Sequence, residues 1–473
     1  MTVHIPEQVK AVGRVLNQGG ARGSLLVGGA VVDSLQGRDP KDFDVEVFGM
    51  GIEDVARALR SVGSPKMVGA AFGIVTVHVD DMDIDVSVPR RDNKVGKGHT
   101  GFACEFDPNM TVKEAARRRD FTINTLAVDI HSGAVVDPFG GLQDLWDGVL
   151  RATDPELFVE DPLRALRAVQ LVARKARTVD HATIELCRSM VDEFTELPKE
   201  RVLEEWRKLL LRGGTPSRGL DFLKESGWIK HFPELEVLDG VPQHPDWHPE
   251  GDVWTHTKMA ADAAAELAPF VEEKDREAFV FGTFLHDLGK ATTTVTPEMV
   301  HAGKFPKERL FTAHRHDAEG VAPATAFLER IGAPKKVTRL ATALVLEHMQ
   351  PWNLLQGGAK RAAFARLGRR LRKDGGSLGL LARVCQCDSC ATGRGRGFTK
   401  LGEPDWEHHA SQLLFQWEEE LGDDVVPLVQ GRDLIALGLK PGVTFGPILE
   451  RALALQDEGM DKDTIMEHVR SWV

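Results

Sequence analysis

The sequence predicts an α+β chain, in which a small mixed-sheet head is followed by a long all-α remainder. Two patterns carry this reading. Up to about residue 140, short β-like runs alternate with Gly turns; from about Asp144 onward the apolar spacing is helical, and long stretches lack Gly and Pro. Composition is the third observation: 42% hydrophobic and 27% charged residues describe an ordinary globular chain, and 473 residues leave room for about three domains at roughly 150 residues each.

Each element follows in order. Leu25 to Val27 is apolar and ends at Gly28-Gly29, the pattern of a strand, a tight turn and a helix start. Phe43 to Val47, Val75 to Val79 and Asp83 to Val88 alternate with period two, as strands with one buried face do. Between them Ile52, Val55, Ala56 and Leu59 stand at helical spacing. Leu163 to Lys175 and Glu200 to Leu211 read as uninterrupted helices. Pro233, Pro242, Pro245 and Pro249 break the helical part, and Gly and Arg cluster from Gly393 to Gly397. These breaks divide the chain into a head over 1–143, a helical neck and body over 144–235, a third domain over 236–400 and a helical tail over 401–473.

Lys+Arg 59 against Asp+Glu 71 gives a net charge of -12, so a nucleic-acid surface has to be a local basic patch. The densest basic run is Lys360, Arg361, Arg366, Arg369, Arg370, Arg372 and Lys373, which reads equally as a phosphate-binding surface and as a solvated helix face. Five unevenly spaced cysteines make no disulfide framework and suit a reducing compartment. Glu7, Lys10 and Arg14 break up the apolar residues near the N-terminus, and eighteen apolar residues never run together. The expectation is a cytoplasmic protein without a membrane partner.

Two constellations carry chemistry. In the first, Gly28 and Gly29 let a phosphate approach the backbone ahead of a helix N-terminus. Asp42 and Asp44 follow, at i and i+2 on one face of a strand whose Phe43, Val45 and Val47 point to the core, and Asp85 sits on another alternating run. Three converging carboxylates beside phosphate-binding N–H groups suit two-metal phosphoryl or nucleotidyl transfer, although a bare pair of this kind is more often a solvated acidic face. The second constellation comprises His256, His286-Asp287, His314-Arg315-His316-Asp317, Glu347-His348 and Asp388. Imidazoles and carboxylates on helices suit a divalent Mn, Fe, Co, Ni or Mg ion better than a thiolate zinc site. Cys385, Cys387 and Cys390 crowd Asp388 without a fourth zinc ligand at the right spacing, and read as buried small hydrophobes.

Gly28-Gly29-Ala30-Val31-Val32-Asp33-Ser34-Leu35-Gln36-Gly37-Arg38, followed by Asp42-Phe43-Asp44, resembles the signature of the tRNA CCA-adding nucleotidyltransferase and bacterial poly(A) polymerase superfamily. Arg118-Arg119-Asp120-Phe121-Thr122-Ile123-Asn124, Asp137-Pro138-Phe139-Gly140-Gly141, Glu160-Asp161-Pro162-Leu163-Arg164-Ala165-Leu166-Arg167 and Glu200-Arg201-Val202 follow in that family's order. The resemblance implies a polymerase-β-like head with Mg2+ on Asp42 and Asp44, and Asp85 as the third catalytic carboxylate. It implies a nucleotide site of Gly28, Gly29, Asp33, Arg38, Arg118, Arg119, Asp120, Asn124, Asp161, Arg164 and Arg167. Asp161 and Arg164, at i and i+3, would read the base. A carboxylate that accepts and a guanidinium that donates match the amino donor and ring acceptor of C and A, whereas U and G present the reverse. Asp161 also reads as the N-cap of the helix opened by Pro162.

Residues from roughly Gly251 to Gly397 resemble the HD phosphohydrolase domain fused to many CCA-adding enzymes. By that resemblance His256, His286, Asp287 and Asp388 hold one metal, and His316 and His348 serve a second, with His314 competing for the place of His316. The implied activity is template-independent addition of CMP and AMP from CTP and ATP to the tRNA 3′ end, with a metal-dependent HD phosphohydrolase for 3′-end repair. The rivals are a poly(A) polymerase, an HD phosphohydrolase with a degenerate head, and a non-catalytic RNA-binding protein.

Overall fold

Branched apolar residues at alternate positions draw the first part of the chain into a sheet. The computed structural model describes residues 3–40, 42–67, 73–94, 102–212, 214–392, 406–422 and 426–473. Its strands are β1 (Gly23–Val27), β2 (Phe43–Phe48), β3 (Ser64–Met67), β4 (Ile74–Val79), β5 (Met82–Ser87), β6 (Arg90–Lys94), β7 (Phe102–Phe106), β8 (Ala127–Asp129) and β9 (Val135–Val136). Seven of them form one mixed sheet in the order β3-β4-β5-β2-β1-β8-β9, and β6 pairs with β7 as a separate hairpin. β1 runs antiparallel to β2, with Val27 opposite Asp44, while β2 runs parallel to β5, with Asp44 opposite Asp85. The helices Glu7–Gln18 and Ile52–Leu59 pack on this sheet with Val9, Val12, Leu16, Val55 and Leu59 fully buried. A second cluster joins Leu25, Val27 and Phe48 to Met110, Ala115 and Ala127. A capping box, in which Thr111 and Glu114 satisfy each other's backbone N–H groups, starts the helix Val112–Arg117 and thereby fixes where Arg118 and Arg119 emerge.

The rest is helical, as the spacing predicts, apart from a two-stranded parallel pair of Val149–Leu150 with Thr178–Val179. Strands of two residues are too short to show a period. The chain packs as two compact units, one of Met1–Glu205 with Arg218–His231, the other of Trp206–Ser217 with Phe232–Val473. In the second unit Trp206 meets Phe232, Phe284 and Phe327 with ring centroids 4.9, 5.8 and 5.0 Å apart. Around this aromatic core lie the helices Val253–Leu267, Glu273–Leu285, His316–Arg330, Lys335–Glu347 and Leu378–Ala391. The tail closes its own small core of Val429, Leu434, Ala452, Ile465 and Val469.

The basic run lies on the helix Arg361–Lys373, and much of it is used internally. Arg361 donates to the carbonyl of Gln456, Arg369 pairs with buried Asp457 at 2.5 Å, and Arg370 makes two 2.7 Å bonds to buried Glu347. The partners of these three arginines are two buried carboxylates and a backbone carbonyl, which spacing alone does not reveal, while the Arg370 side chain stays half exposed. The Gly and Arg cluster at Gly393 to Gly397 lies outside the described residues.

Candidate functional site

Parallel pairing of β2 with β5 sets Asp44 beside Asp85, and both are exposed while Phe43, Val45, Ile84 and Val86 are buried. Asp42, also exposed, precedes the strand by one residue. Loss of bulk water around its carboxyl, then the charges of Asp85 and Asp42, push the Asp44 pKa up against the pull of Arg119. Among the described residues Asp42, Asp44 and Asp85 do not gather as closely as the three metal-capable groups of the second unit; what they share is a mutual repulsion that a divalent cation would relieve. Thr76 Oγ1 donates to Asp85 Oδ1 at 2.6 Å and orients it.

Gly28 suits this arrangement in two ways. It takes φ +77, and a Cβ there would stand 2.9 Å from Asp44 Oδ2. Gly29, by contrast, faces open space and begins the helix Gly29–Leu35. Gly28→Ala is therefore expected to strain the turn and displace the Asp44 carboxylate, lowering the rate of nucleotide addition by roughly 10- to 100-fold. Steady-state rates measured beside a melting curve check it; an unchanged rate in a folded variant removes Gly28 from the site.

Period two also places Glu46 on the face of Asp44, and it is buried, with Arg118 and Arg119 each 3.5 Å away. Glu46 escapes a reading of the sequence because a carboxylate on the polar face of a strand looks solvated until its partners are known. Asp120 is buried, accepts from Asn124 Nδ2 at 2.8 Å and from Arg167 Nε at 2.6 Å. Burial works against its charge, but the Arg167 guanidinium and the Asn124 amide hold its carboxyl below the usual range. Because the folded pKa is depressed, the pair stabilises the protein above the unfolded carboxylate pKa and is lost as pH falls through the folded value. Asp120→Ala should cost roughly 3–5 kcal/mol at pH 7 by leaving Arg167 without its main counter-charge, and the gap to wild type should narrow below about pH 4. Urea unfolding at several pH values measures both.

Asp33 and Arg38 brace the far end of the helix Leu163–Arg174: Asp33 pairs with Lys175, and Arg38 donates twice to the Arg174 carbonyl at 3.1 Å. At the other end, Asp161 accepts from the Leu163 N–H at 3.2 Å and from Arg201 at 2.9 Å. Arg164 donates to the carbonyls of Leu157 (2.8 Å) and Arg118 (2.7 Å). Asp161 and Arg164 thus lie at one helix end, joined by the Arg164 N–H donating to the Asp161 carbonyl at 3.0 Å, while their side chains are held by other partners. Arg201, to which the sequence reading assigned no role, holds Asp161; only its place in the Glu200-Arg201-Val202 motif hinted at it.

The second constellation assembles in the other unit. His256 Nε2 lies 3.3 Å from His286 Nε2 and 3.0 Å from Asp388 Oδ1, and Asp287 Oδ2 lies 3.6 and 3.4 Å from the two rings. The opposite oxygen, Asp287 Oδ1, faces His316 Nε2 at 3.4 Å and His348 Nε2 at 3.8 Å, and those two nitrogens are 3.0 Å apart. His314 is exposed and stands outside the cluster. The donor set fits a metal: Nδ1 of His286, His316 and His348 is satisfied by the carbonyls of Thr283, Ala313 and Val345 at 2.7, 2.7 and 2.6 Å, which leaves each Nε2 lone pair facing inward. Burial keeps His348 neutral, down at about 3, and lowers His316 as well, and neutral imidazole is the ligating form. His256 is pulled the other way; despite burial, Asp388 and Glu250 raise it to about 10. Lys290 closes on Asp287 Oδ2 at 2.6 Å. Cys385 and Cys387 are buried thiols outside any disulfide, and burial drives the Cys387 thiol well up, as the hydrophobe reading expects.

Comparison with known proteins places a known domain over each of the two regions. Residues 24–151 match the poly A polymerase head domain, 178–238 the probable RNA and SrmB-binding site of polymerase A, and 253–386 the HD domain. The chain is 35% identical over 443 residues to the multifunctional CCA protein of Xanthomonas campestris pv. campestris (strain B100), covering 91% of this chain and 95% of that protein. It is 33% identical over 437 residues to that of Stenotrophomonas maltophilia (strain K279a), covering 91% and 96%. In fold it resembles the Bacillus stearothermophilus CCA-adding enzyme in complex with CTP, with a TM-score of 0.64, 21% identity and 98% of each chain covered. It also resembles the Thermotoga maritima CCA-adding enzyme complexed with tRNA, with a TM-score of 0.57, 18% identity and 98% and 94% covered. Identity at this level over nearly the full length of both proteins is inherited, and the chain belongs to the multifunctional CCA protein family.

Proposed function

We propose that this protein adds CMP and AMP from CTP and ATP to the 3′ end of tRNA, and that its HD centre hydrolyses phosphomonoester or 2′,3′-cyclic phosphate ends that would block the addition. The observation that carries the first activity is the in-register placement of Asp44 and Asp85 on parallel strands, with the Asp44 carboxylate against Gly28 and open space beside Gly29. Asp42, Asp44 and Asp85 would hold Mg2+, which supplies activation of the 3′-hydroxyl and charge neutralisation at the leaving pyrophosphate. Arg118 and Arg119 face the incoming phosphates, with Glu46 holding them at the sheet and Asn124 and Arg167 fixing Asp120 beneath. Asp161 and Arg164 present an acceptor and a donor already immobilised by Arg201 and by two carbonyls, a rigid template that suits C and A. In the HD centre His256, His286, Asp287 and Asp388, with His316 and His348, would hold Mn2+, Co2+, Ni2+, Fe2+ or Mg2+, which supplies an activated water. No described helix is long and apolar enough to cross a membrane, and the cytoplasm is the proposed place of action.

The test uses tRNA transcripts ending before CCA, after CC and complete, each given one triphosphate, with the ends sequenced. CTP should extend the first, ATP only the second, and nothing the third. Long A tracts would identify a poly(A) polymerase, and no extension a degenerate head. Arg164→Ala is expected to relax the preference against U and G by about 1–3 kcal/mol in competition assays. Full retention of selectivity would leave Arg164 a purely structural residue.

A further inference from the structure

We propose that Glu250 is a positioning residue of the HD centre, one carboxylate oxygen serving both the metal-facing ring of His256 and the neighbouring ring of His248. The proposal rests on a metal binding at His256. His286, His316 and His348 each give Nδ1 to a carbonyl three residues earlier on the backbone. His256 is different. Its Nδ1 meets a side chain, Glu250 Oε1, at 2.7 Å, and His248 Nδ1 meets the same oxygen at 2.8 Å. Both of these bonds run through Oε1; Oε2 is buried and has no hydrogen-bond partner among the described residues. The Glu250 side chain is 2% exposed, that of His256 0% and that of His248 19%, and the rings of His248 and His256 stand edge to face with centroids 5.0 Å apart.

The backbone is shaped for this contact. Gly251, at φ +116, turns the chain between Glu250 and Asp252, and Asp252 caps the helix that carries His256 by accepting the Thr255 N–H at 2.9 Å. Asp252 is itself anchored by the Gly240 N–H at 2.7 Å. The turn brings Glu250 back onto the first turn of its own following helix. A pure acceptor at Nδ1 holds a proton on that nitrogen, so that Nε2, which faces His286 and Asp388, is the atom that would give up its proton and turn a lone pair to a metal. An amide in the same place offers N–H donors as well as an acceptor. Where its N–H faces the ring, the imidazole flips to the other tautomer and a proton occupies the metal-facing nitrogen.

Glu250→Gln and Glu250→Asp in the full chain, stripped with chelator and titrated with Mn2+ or Co2+ alone, test this, with melting curves in chelator as the fold control. The Gln variant should bind the metal roughly 10- to 100-fold more weakly than wild type, the Asp variant should recover part of that loss, and both should melt near the wild-type temperature in chelator. For Co2+ the visible absorption band of the bound ion should shift in the Gln variant. Wild-type affinity in a folded Gln variant overturns the proposal. If the Gln variant does not fold, the Asp variant decides by the same titration, and loss of fold in both makes Glu250 structural and likewise overturns it. A wild-type protein that takes up no metal would instead refute the HD metal reading on which the proposal stands.

Discussion

Asp44→Asn should reduce CMP and AMP incorporation by roughly two or more orders of magnitude while leaving the melting temperature nearly unchanged. The substitution keeps size and hydrogen-bonding capacity but removes a charge from an exposed position between Val27 and Asp85 on the sheet. Stability should even gain slightly, because the carboxylate is crowded by Asp85 and Asp42 and by loss of water around it. Asp42→Asn should follow the same pattern. Primer-extension rates at saturating CTP, beside thermal melts, are the measurement; near-normal addition by both variants would end the two-metal reading of the head.

Asp287→Ala should erase hydrolysis of a 2′,3′-cyclic nucleotide, by roughly three orders of magnitude or more, and leave CTP and ATP incorporation into intact tRNA close to wild type. This carboxylate faces both imidazole pairs of the HD cluster, one oxygen toward His256 and His286 and the other toward His316 and His348. No other described side chain is placed to replace it at both. Chelator should imitate the variant in the wild-type hydrolysis assay, with Mn2+, Co2+, Ni2+ or Mg2+ added back to restore activity. Equal loss of both activities in the variant would indicate a structural fault and not a lost ligand.

The head sheet was legible because period-two alternation is written in single residues: Phe43, Val45, Ile84 and Val86 are buried, and the aspartates between them are exposed. What alternation does not state is which strand lies beside which, and the meeting of Asp44 with Asp85 depends on a parallel pairing of strands separated by two others in sequence. The residues of the HD cluster were legible as a set, through a resemblance in order and spacing; burial then separated His316 from exposed His314. Ion pairs were the hidden layer. Glu46 and Arg201 look like solvated charges in a strand or helix pattern, yet Glu46 is buried and Arg201 grips Asp161. The basic run hid two of its partners for the same reason, since Glu347 and Asp457 lie on other helices and outside any local window.

Three of the four inward-facing histidines lean on peptide carbonyls, at positions 283, 313 and 345. Every amino acid carries that acceptor, so selection on hydrogen bonding leaves the identity of those residues unwatched, and only packing constrains Thr283 and Val345, which are buried. Ala313, half-buried, is freer still. Genetic drift can therefore rewrite these supports without touching the chemistry they maintain, whereas position 250 carries its acceptor in the side chain and has no such latitude. Saturation mutagenesis scored on HD hydrolysis should record that contrast as a broad spectrum of tolerated residues at 313 and a nearly empty one at 250.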